Sequence, residues 1–145
     1  MYESLFKKNN SPHLRAYVVW VPEFFAKEKD VPVGVRIVPD VRATHYWDGH
    51  GVLTAGYSPV LGLPTYLSGA LPAWDVFMIF APQAKWTGSR PPKPDFWMHQ
   101  LSAGGIRAPR LRPVEFARKA EEFLRPCMAA AGPPSRTAGP AILAC

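Results

Sequence analysis

The residues best suited to chemistry are three possible metal ligands in one short segment. His45, Asp48 and His50 carry the imidazole and carboxylate groups that bind zinc or iron in proteins, and the turn expected at the Asp-Gly step could bring them together. Their spacing matches no established metal motif. We therefore favour an ordinary interpretation, in which His45 packs within a strand and His50 lies in a solvated turn. We expect neither a metal nor another cofactor.

Nucleophilic chemistry finds little support in the sequence. The two cysteines, Cys127 and Cys145, are not at C-x-x-C spacing, and residues 1–126 contain no cysteine. A disulfide between the two is geometrically possible, but we favour two inert thiols. The candidate serines lie in no G-x-S-x-G nucleophile motif; they are Ser58, Ser68 and Ser102. We therefore assign no catalytic residue.

Large aromatic side chains are frequent for a chain of this length. Core packing explains most of them, and the alternative is a groove whose aromatic rings contact a ligand. The residues in question are Trp20, Tyr46, Trp47, Trp74, Trp86 and Trp97. Asp75 also has two interpretations: a turn residue that accepts backbone N–H bonds, which we favour, or a proton-transfer group in a longer parent protein.

Composition predicts one folded domain. The chain has 145 residues, 48% of them hydrophobic, and its 17 prolines must punctuate a folded chain. The net charge of +6 comes mostly from the region after residue 100. Its basic segment, residues 106–112, could contact nucleic acid or anionic lipid, but we favour a solvated surface. No apolar run is long enough to cross a membrane and no signal peptide follows Met1, so as written the chain is expected in the cytoplasm.

The coarse pattern alternates strands and helices. Residues 2–8 predict the last turns of an amphipathic helix, and the nearly continuous apolar run at 14–22 predicts a strand in a parallel α/β sheet. We expect a short helix or a loop anchored by two phenylalanines at 23–30, and an edge or extended connection at 31–40. A short strand at 41–48 and a short helix from residue 52 follow.

The second half predicts a hairpin and a terminal helix. VFMIF, residues 76–80, is the strongest strand, and we expect it to turn at APQA and pair with KWT in an antiparallel hairpin. FWMHQL, residues 96–101, is expected to be short, apolar and docked on the core. Residues 113–125 predict a helix that Pro126 ends, followed by a disordered tail over residues 127–145.

The stretch DGHGVLTAGYSPVLGLPT, residues 48–65, resembles the thioredoxin and redoxin superfamily. In that superfamily a similar stretch ends the third helix and presents a cis-proline beside the active site. The segments YVVWVP, HYWDG, AWDVF and DFWMHQ are also similar to a group of uncharacterised bacterial thioredoxin-like proteins. The resemblance covers roughly residues 14–125 and implies an α/β domain with a thioredoxin-like central mixed sheet flanked by helices.

The chemistry of that family needs two cysteines at C-x-x-C, where a helix N-terminus lowers the pKa of the first thiol. The resemblance implies that this pair would precede Met1, because residues 2–8 would be the far end of its helix. The domain, residues 1–126, is then N-terminally incomplete relative to the fold. Either the chain is a fragment or start-site variant of a longer oxidoreductase, which we favour, or it is a non-catalytic descendant that uses the fold as a scaffold.

We therefore expect a domain without dithiol activity as written. The alternative is a non-enzymatic module that binds an extended peptide or protein at the cis-proline-loop region, and a weaker alternative is a nucleic-acid binder with a basic tail. The expected binding residues are Gly62, Pro64, Thr65, Pro72, Trp74 and Asp75. Pro64 fits the family pattern and Pro72 lies nearer the strand, so a cis bond is sought at Pro64, at Pro72 or at neither.

Overall fold

The computed structural model describes residues 1–82, 84–130 and 141–144, with side chains for residues 1–82 and 84–125. The strands are β1 (Leu14–Trp20), β2 (Ala43–Trp47), β3 (Thr65–Tyr66), β4 (Gly69–Ala70), β5 (Val76–Phe80), β6 (Phe96–His99) and β7 (Ala141–Ala144). The helices are α1 (Val31–Val35), α2 (Val52–Val60) and α3 (Pro113–Ala130), and single helical turns lie at Tyr2–Phe6, Glu23–Phe25 and Glu28–Asp30. The chain is thus a mixed α/β protein, as its pattern predicts.

A five-stranded sheet organises the molecule, with the strand order β2-β1-β7-β5-β6. β1 runs parallel to both β2 and β7, whereas β5 runs antiparallel to both β7 and β6. β3 and β4 form a separate two-stranded hairpin. β1 lies in the parallel part of the sheet, as the apolar run at residues 14–22 predicts.

Two apolar clusters cover the two faces of this sheet. Successive side chains of a strand point to opposite faces, and β5 follows this rule: Ile79 belongs to one cluster, and Met78 and Phe80 to the other. The first cluster packs the sheet against α3 and the N-terminal turn, and the second packs it against α2. Phe116 of α3 is fully buried in the first cluster.

The hairpin expected within residues 76–87 is wrong. β5 pairs with β6, in the register Val76↔His99 to Ile79↔Phe96, and the KWT segment contributes only an isolated bridge from Thr87 to Arg90. The proline-rich connection returns the chain so that a second apolar segment reaches the edge of β5. Pairing with β6 adds more buried surface, because Met98 and His99 are both buried.

Three smaller expectations also need correction. Residues 31–35 form α1 rather than an extended connection, with Pro32 in the first helical turn, where it is tolerated. The phenylalanines of the 23–25 turn are not anchors, since Phe24 and Phe25 are 81% and 97% exposed. Pro126 does not end α3, which continues to Ala130.

The tail expected over residues 127–145 falls partly on residues 131–140 and 145, which lie outside the described residues. The described parts are the last turn of α3 and β7. Among the described helices, none combines the length and the apolar character needed to cross a membrane.

Candidate functional site

An open groove of about 460 Å³ lies between the sheet and α2. Five of its ten lining residues are aromatic, and four of the others are apolar. Its lining residues are Tyr17, Val19, Tyr46, Asp48, Leu53, Tyr57, Phe80, Ala84, Trp86 and Pro92. This volume is within the range of about 300–1,000 Å³ that is usual for ligand pockets.

Alternate residues of β1 form the floor of the groove. Tyr17 and Val19 occupy alternate positions of β1, on the face opposite the buried Ala16 and Val18. The parallel register sets Val19 beside Tyr46 of β2, and the rings of Tyr17 and Tyr46 lie 6.1 Å apart.

α2 forms one wall of the groove, and Asp48 caps the first turn of this helix. Its two carboxylate oxygens accept the backbone N–H groups of Val52 and Leu53 at 2.9 and 2.8 Å. This arrangement satisfies free N–H groups at the start of the helix and places a negative charge where the helix dipole favours it. Gly51 enters the helix with a φ of +65°, a conformation that glycine adopts without strain.

Tyr57 of α2 contacts two other aromatic residues of the groove. Its ring contacts Phe80 at a centroid distance of 6.3 Å, and Trp86 meets it edge-on at 6.5 Å. Burial raises the pKa of the Tyr57 hydroxyl to about 12, so it stays protonated at any physiological pH. Tyr46 and Trp86, at 50% and 53% exposed, leave the groove open to solvent.

A smaller cleft of about 50 Å³ continues from this groove toward the start of β5. It shares Val19, Leu53 and Tyr57 with the groove and ends at Trp74 and Asp75. The ring of Trp74 is also met edge-on by Phe24, with 5.3 Å between the centroids. The exposed Phe24 and the half-buried Trp74 therefore lie together at one end of the cleft.

Asp75 is an unusual residue at this end. Its φ of +55° is left-handed, a conformation that aspartate tolerates better than most residues. Its backbone carbonyl accepts the N–H of Gln100 at 2.9 Å. Partial desolvation raises the pKa of its carboxyl, against the opposing charges of Arg110 and His99. Its carboxylate accepts no hydrogen bond from the described residues, so the favoured turn role is not what the geometry shows.

The six loop residues predicted for binding do not form one site. Gly62 and Pro64 border a second open depression, of about 630 Å³, beside Trp97 and Arg107, whereas Trp74 and Asp75 border the small cleft. The segment between them folds into the exposed β3–β4 hairpin, which begins at Thr65. Pro72 follows that hairpin, and it lines neither depression.

Every peptide bond in the described part of the chain is trans. Of the three possibilities for a cis bond, at Pro64, at Pro72 or at neither, the structure has neither. The loop site must therefore be described without a cis-proline.

Two of the three possible metal ligands, His45 and Asp48, are engaged by other groups. His45 Nδ1 accepts the indole N–H of Trp20 at 3.1 Å, and its Nε2 faces the carbonyl of Val38 at 3.3 Å. Asp48 caps α2, and His50 is exposed in the turn before it. Within residues 1–82 and 84–125, no group of three or more possible ligands is close enough to hold a metal ion.

Part of the basic segment at 106–112 is also engaged within the protein. Arg110 donates to the carbonyls of Leu101 and Gln100, and Arg112 pairs with Glu115 at 2.9 Å. The disulfide considered for the tail, between Cys127 and Cys145, concerns side chains outside those that the structure describes.

Sequence reasoning named Tyr46 and Trp86 as possible ligand contacts but missed the rest of the groove. The signal for Tyr17 and Val19 was present, because the alternation in β1 puts them on one face. Tyr57 and Phe80 carry no local signal, since α2 and β5 meet only through the tertiary fold.

Comparison with known proteins adds nothing to this description. Searches against protein-family models, curated proteins and solved structures give no significant match. The class defined by fold and site is therefore a mixed α/β protein with an open aromatic groove.

Proposed function

We propose that the chain is a non-enzymatic binding module that takes apolar side chains of an extended peptide or protein segment into the groove. The observation that carries this proposal is the convergence of five aromatic rings on one open groove of about 460 Å³. Aromatic side chains supply large contact areas at low entropic cost, which is why binding surfaces are rich in them.

The polarity of the groove supports binding rather than catalysis. Among the described lining residues, Asp48 is the only one with a charged side chain. Both of its oxygens already accept backbone N–H groups. The raised pKa of Tyr57 makes that hydroxyl a poor proton donor or acceptor near neutral pH.

We also propose a thioredoxin-like arrangement for this module, derived from a thiol-disulfide oxidoreductase. Three features support it: parallel pairing of β1, antiparallel pairing of β5 with β6, and α2 and α3 on opposite faces of the sheet. Residues 1–126 hold no cysteine, so this chain has no C-x-x-C pair for dithiol exchange.

Binding is tested with a panel of three acetylated and amidated hexapeptides that carry Phe, Leu or Ser at alternate positions in a threonine background. Backbone amide signals of the ¹⁵N-labelled chain report where each peptide contacts it. The Phe and Leu peptides should shift the signals of Tyr17, Leu53 and Tyr57, and the Ser peptide should not.

A matched pair of variants locates the binding. Trp86→Ala should weaken binding of the Phe peptide about tenfold, as expected for an aromatic contact residue. Tyr66→Ala removes an aromatic of similar exposure outside the groove and should leave the affinity unchanged. Equal loss in both variants, or no shifts at millimolar peptide, would overturn the proposal.

The redox part has its own test. In an insulin-reduction assay the chain should be no faster than dithiothreitol alone. Clear turnover would contradict redox inactivity without affecting the groove result.

A further inference from the structure

The two halves of the sheet do not pair with each other. β1 pairs only with β2 and β7 among the described strands, and β5 only with β6 and β7. Among the described residues, the four residues of β7 therefore provide all of the strand pairing that joins the halves. We call the space between the inner edges of β1 and β5 the strand seat.

The strand seat is apolar on both sides. Leu14 and Ala16 of β1 and Ile79 of β5 belong to the cluster on the α3 face, and Met78 and Phe80 belong to the cluster on the α2 face. A strand in this position faces both clusters, so it must be apolar at every residue rather than at alternate ones. The sequence of β7, AILA, has this character.

Both edges of the strand seat extend beyond the described pairs of β7. The pairs of β7 reach Tyr17 on β1 and Met78 on β5. β1 continues to Trp20, and β5 begins at Val76. Within the described residues, each strand thus extends beyond the last pair that β7 makes with it.

Backbone directions show which groups of β1 and β5 face the strand seat beyond the last described pairs of β7. Ala16 N–H and Trp20 C=O bond toward β2, so the backbone groups of Val19 point to the opposite edge, toward the strand seat. The carbonyls of Asp75 and Ile79 bond toward β6, so those of Val76 point toward the strand seat in the same way.

The small cleft lies at this end. Val19 and Val21 line one side of it, and Val76 and Met78 line the other. The cleft lies on the α2 face of the sheet, because Leu53, Thr54 and Tyr57 also line it. It reaches Val19 and Val76, which lie beyond the last described pairs of β7. Extended peptides bind strand edges by adding a strand.

We propose that the strand seat accepts an extended apolar segment of about seven residues, the length of β1, from another polypeptide. The segment runs parallel to β1 and antiparallel to β5, and it displaces β7. Its affinity comes from backbone pairing inside the sheet, which separates it from the side-chain binding proposed for the groove.

The test uses the full chain and a synthetic peptide. The peptide contains AILAVVV, which is β7 extended by three residues, with a lysine at each end for solubility. The matched control is AILPVVV with the same lysines, because proline removes a backbone donor and is not accommodated in a central strand. Hydrogen exchange of the Val19 and Val76 amides is the readout.

The first peptide should slow exchange at both amides about tenfold, and the proline peptide should leave both rates unchanged. A Leu143→Pro variant weakens β7 at its backbone and should bind the first peptide more tightly than the unmodified chain does. If Leu143→Pro fails to fold, the result with the unmodified chain decides alone.

Three outcomes would overturn the proposal. The first is unchanged exchange at Val19 and Val76 with a saturating concentration of peptide. The second is binding that shifts only the amide signals of Tyr46 and Trp86, which would assign the peptide to the groove and leave the function proposed for the groove intact. The third is peptide-independent protection that rises with protein concentration, which would show that the occupant is β7 of a second copy.

Discussion

The indole Nε1–H of Trp20 donates a hydrogen bond to Nδ1 of His45, with 3.1 Å between the two nitrogens. The two rings are nearly parallel, with 6° between their planes and 6.1 Å between their centroids. Because Nδ1 is the acceptor, the ring proton of neutral His45 is on Nε2, which faces the carbonyl of Val38. The side chain that looked most like a metal ligand therefore joins β1, β2 and the segment after α1.

Replacing His45 by phenylalanine should destabilise the fold by about 1 kcal/mol, because it keeps a ring but leaves the N–H of Trp20 without its acceptor. Urea unfolding followed by circular dichroism measures the change. His50→Phe is the control: His50 is exposed, and its replacement should change stability by no more than about 0.5 kcal/mol. Equal effects would mean that the hydrogen bond contributes nothing.

Gly34→Ala should destabilise the packing of α1 on β1. A Cβ at this position would lie 2.8 Å from Cζ2 of Trp20, too close without movement of the indole. We expect a cost of about 1–3 kcal/mol, reduced by the better helix propensity of alanine. The comparison is Gly104→Ala, whose added Cβ meets nothing within 4 Å.

A double-mutant cycle tests whether contact with Trp20 causes the cost of Gly34→Ala. Trp20→Phe removes the atoms that clash, so Gly34→Ala should cost less in that background than in the original chain. The same cost in both backgrounds would assign the effect to the backbone rather than to Trp20.

The main strands could be predicted because their signal is local. β1 and β5 are continuous apolar runs, β2 precedes an Asp-Gly step, and α2 follows it. The choice of partner strand could not be predicted. The KWT segment and β6 are both short segments that contain a tryptophan and follow β5, and burial in the folded core distinguishes them.

The candidate site could likewise be predicted only in part. Residue types indicated an aromatic binding surface, but the convergence of Tyr17, Tyr57 and Phe80 depends on the packing of β1, α2 and β5. Pro64 and Trp74 were expected at one loop. The β3–β4 hairpin separates them, and a sequence pattern does not show where an intervening segment folds.

Arg42 should be more sensitive to replacement than an exposed arginine. Its guanidinium makes a two-point pair with Asp40, at 2.8 Å for both contacts, and donates to the carbonyl of Phe6 at 2.9 Å. Both partners of the pair are only 14% exposed. Arg42→Met should therefore cost about 3 kcal/mol, because it leaves a poorly solvated carboxylate without its partner.

An exposed pair provides the comparison. Arg118 pairs with Glu122 across one helical turn and is 65% exposed, so Arg118→Met should cost about 0.5 kcal/mol or less. Similar costs for Arg42→Met and Arg118→Met would show that burial does not strengthen the Asp40 pair.

The same pair predicts an acid dependence. The hydrogen bond from Arg42 lowers the pKa of Asp40 below its ordinary value of 3.8. A lowered carboxyl pKa stabilises the folded state above the unfolded value, and this contribution is lost as pH falls through the folded value. Stability measured from pH 5 down to pH 2 should fall more steeply in the original chain than in Asp40→Asn. Parallel profiles would contradict this assignment.

Asp75 predicts the opposite dependence. Partial desolvation raises the pKa of its carboxyl above 3.8, although Arg110 and His99 oppose the shift. A raised carboxyl pKa means that the folded state binds the proton more tightly, so the contribution of Asp75 to stability falls as pH rises from the unfolded value through the folded one. Asp75→Asn keeps tolerance of the left-handed φ and removes the charge. It should be as stable as the original chain at pH 3 and more stable at pH 7, as measured by urea unfolding.

Asp75→Ala, which adopts that φ less readily, should be less stable than Asp75→Asn at both pH values. A loss of stability in Asp75→Asn at pH 7 would show that the carboxylate is held by an interaction stronger than the desolvation it suffers.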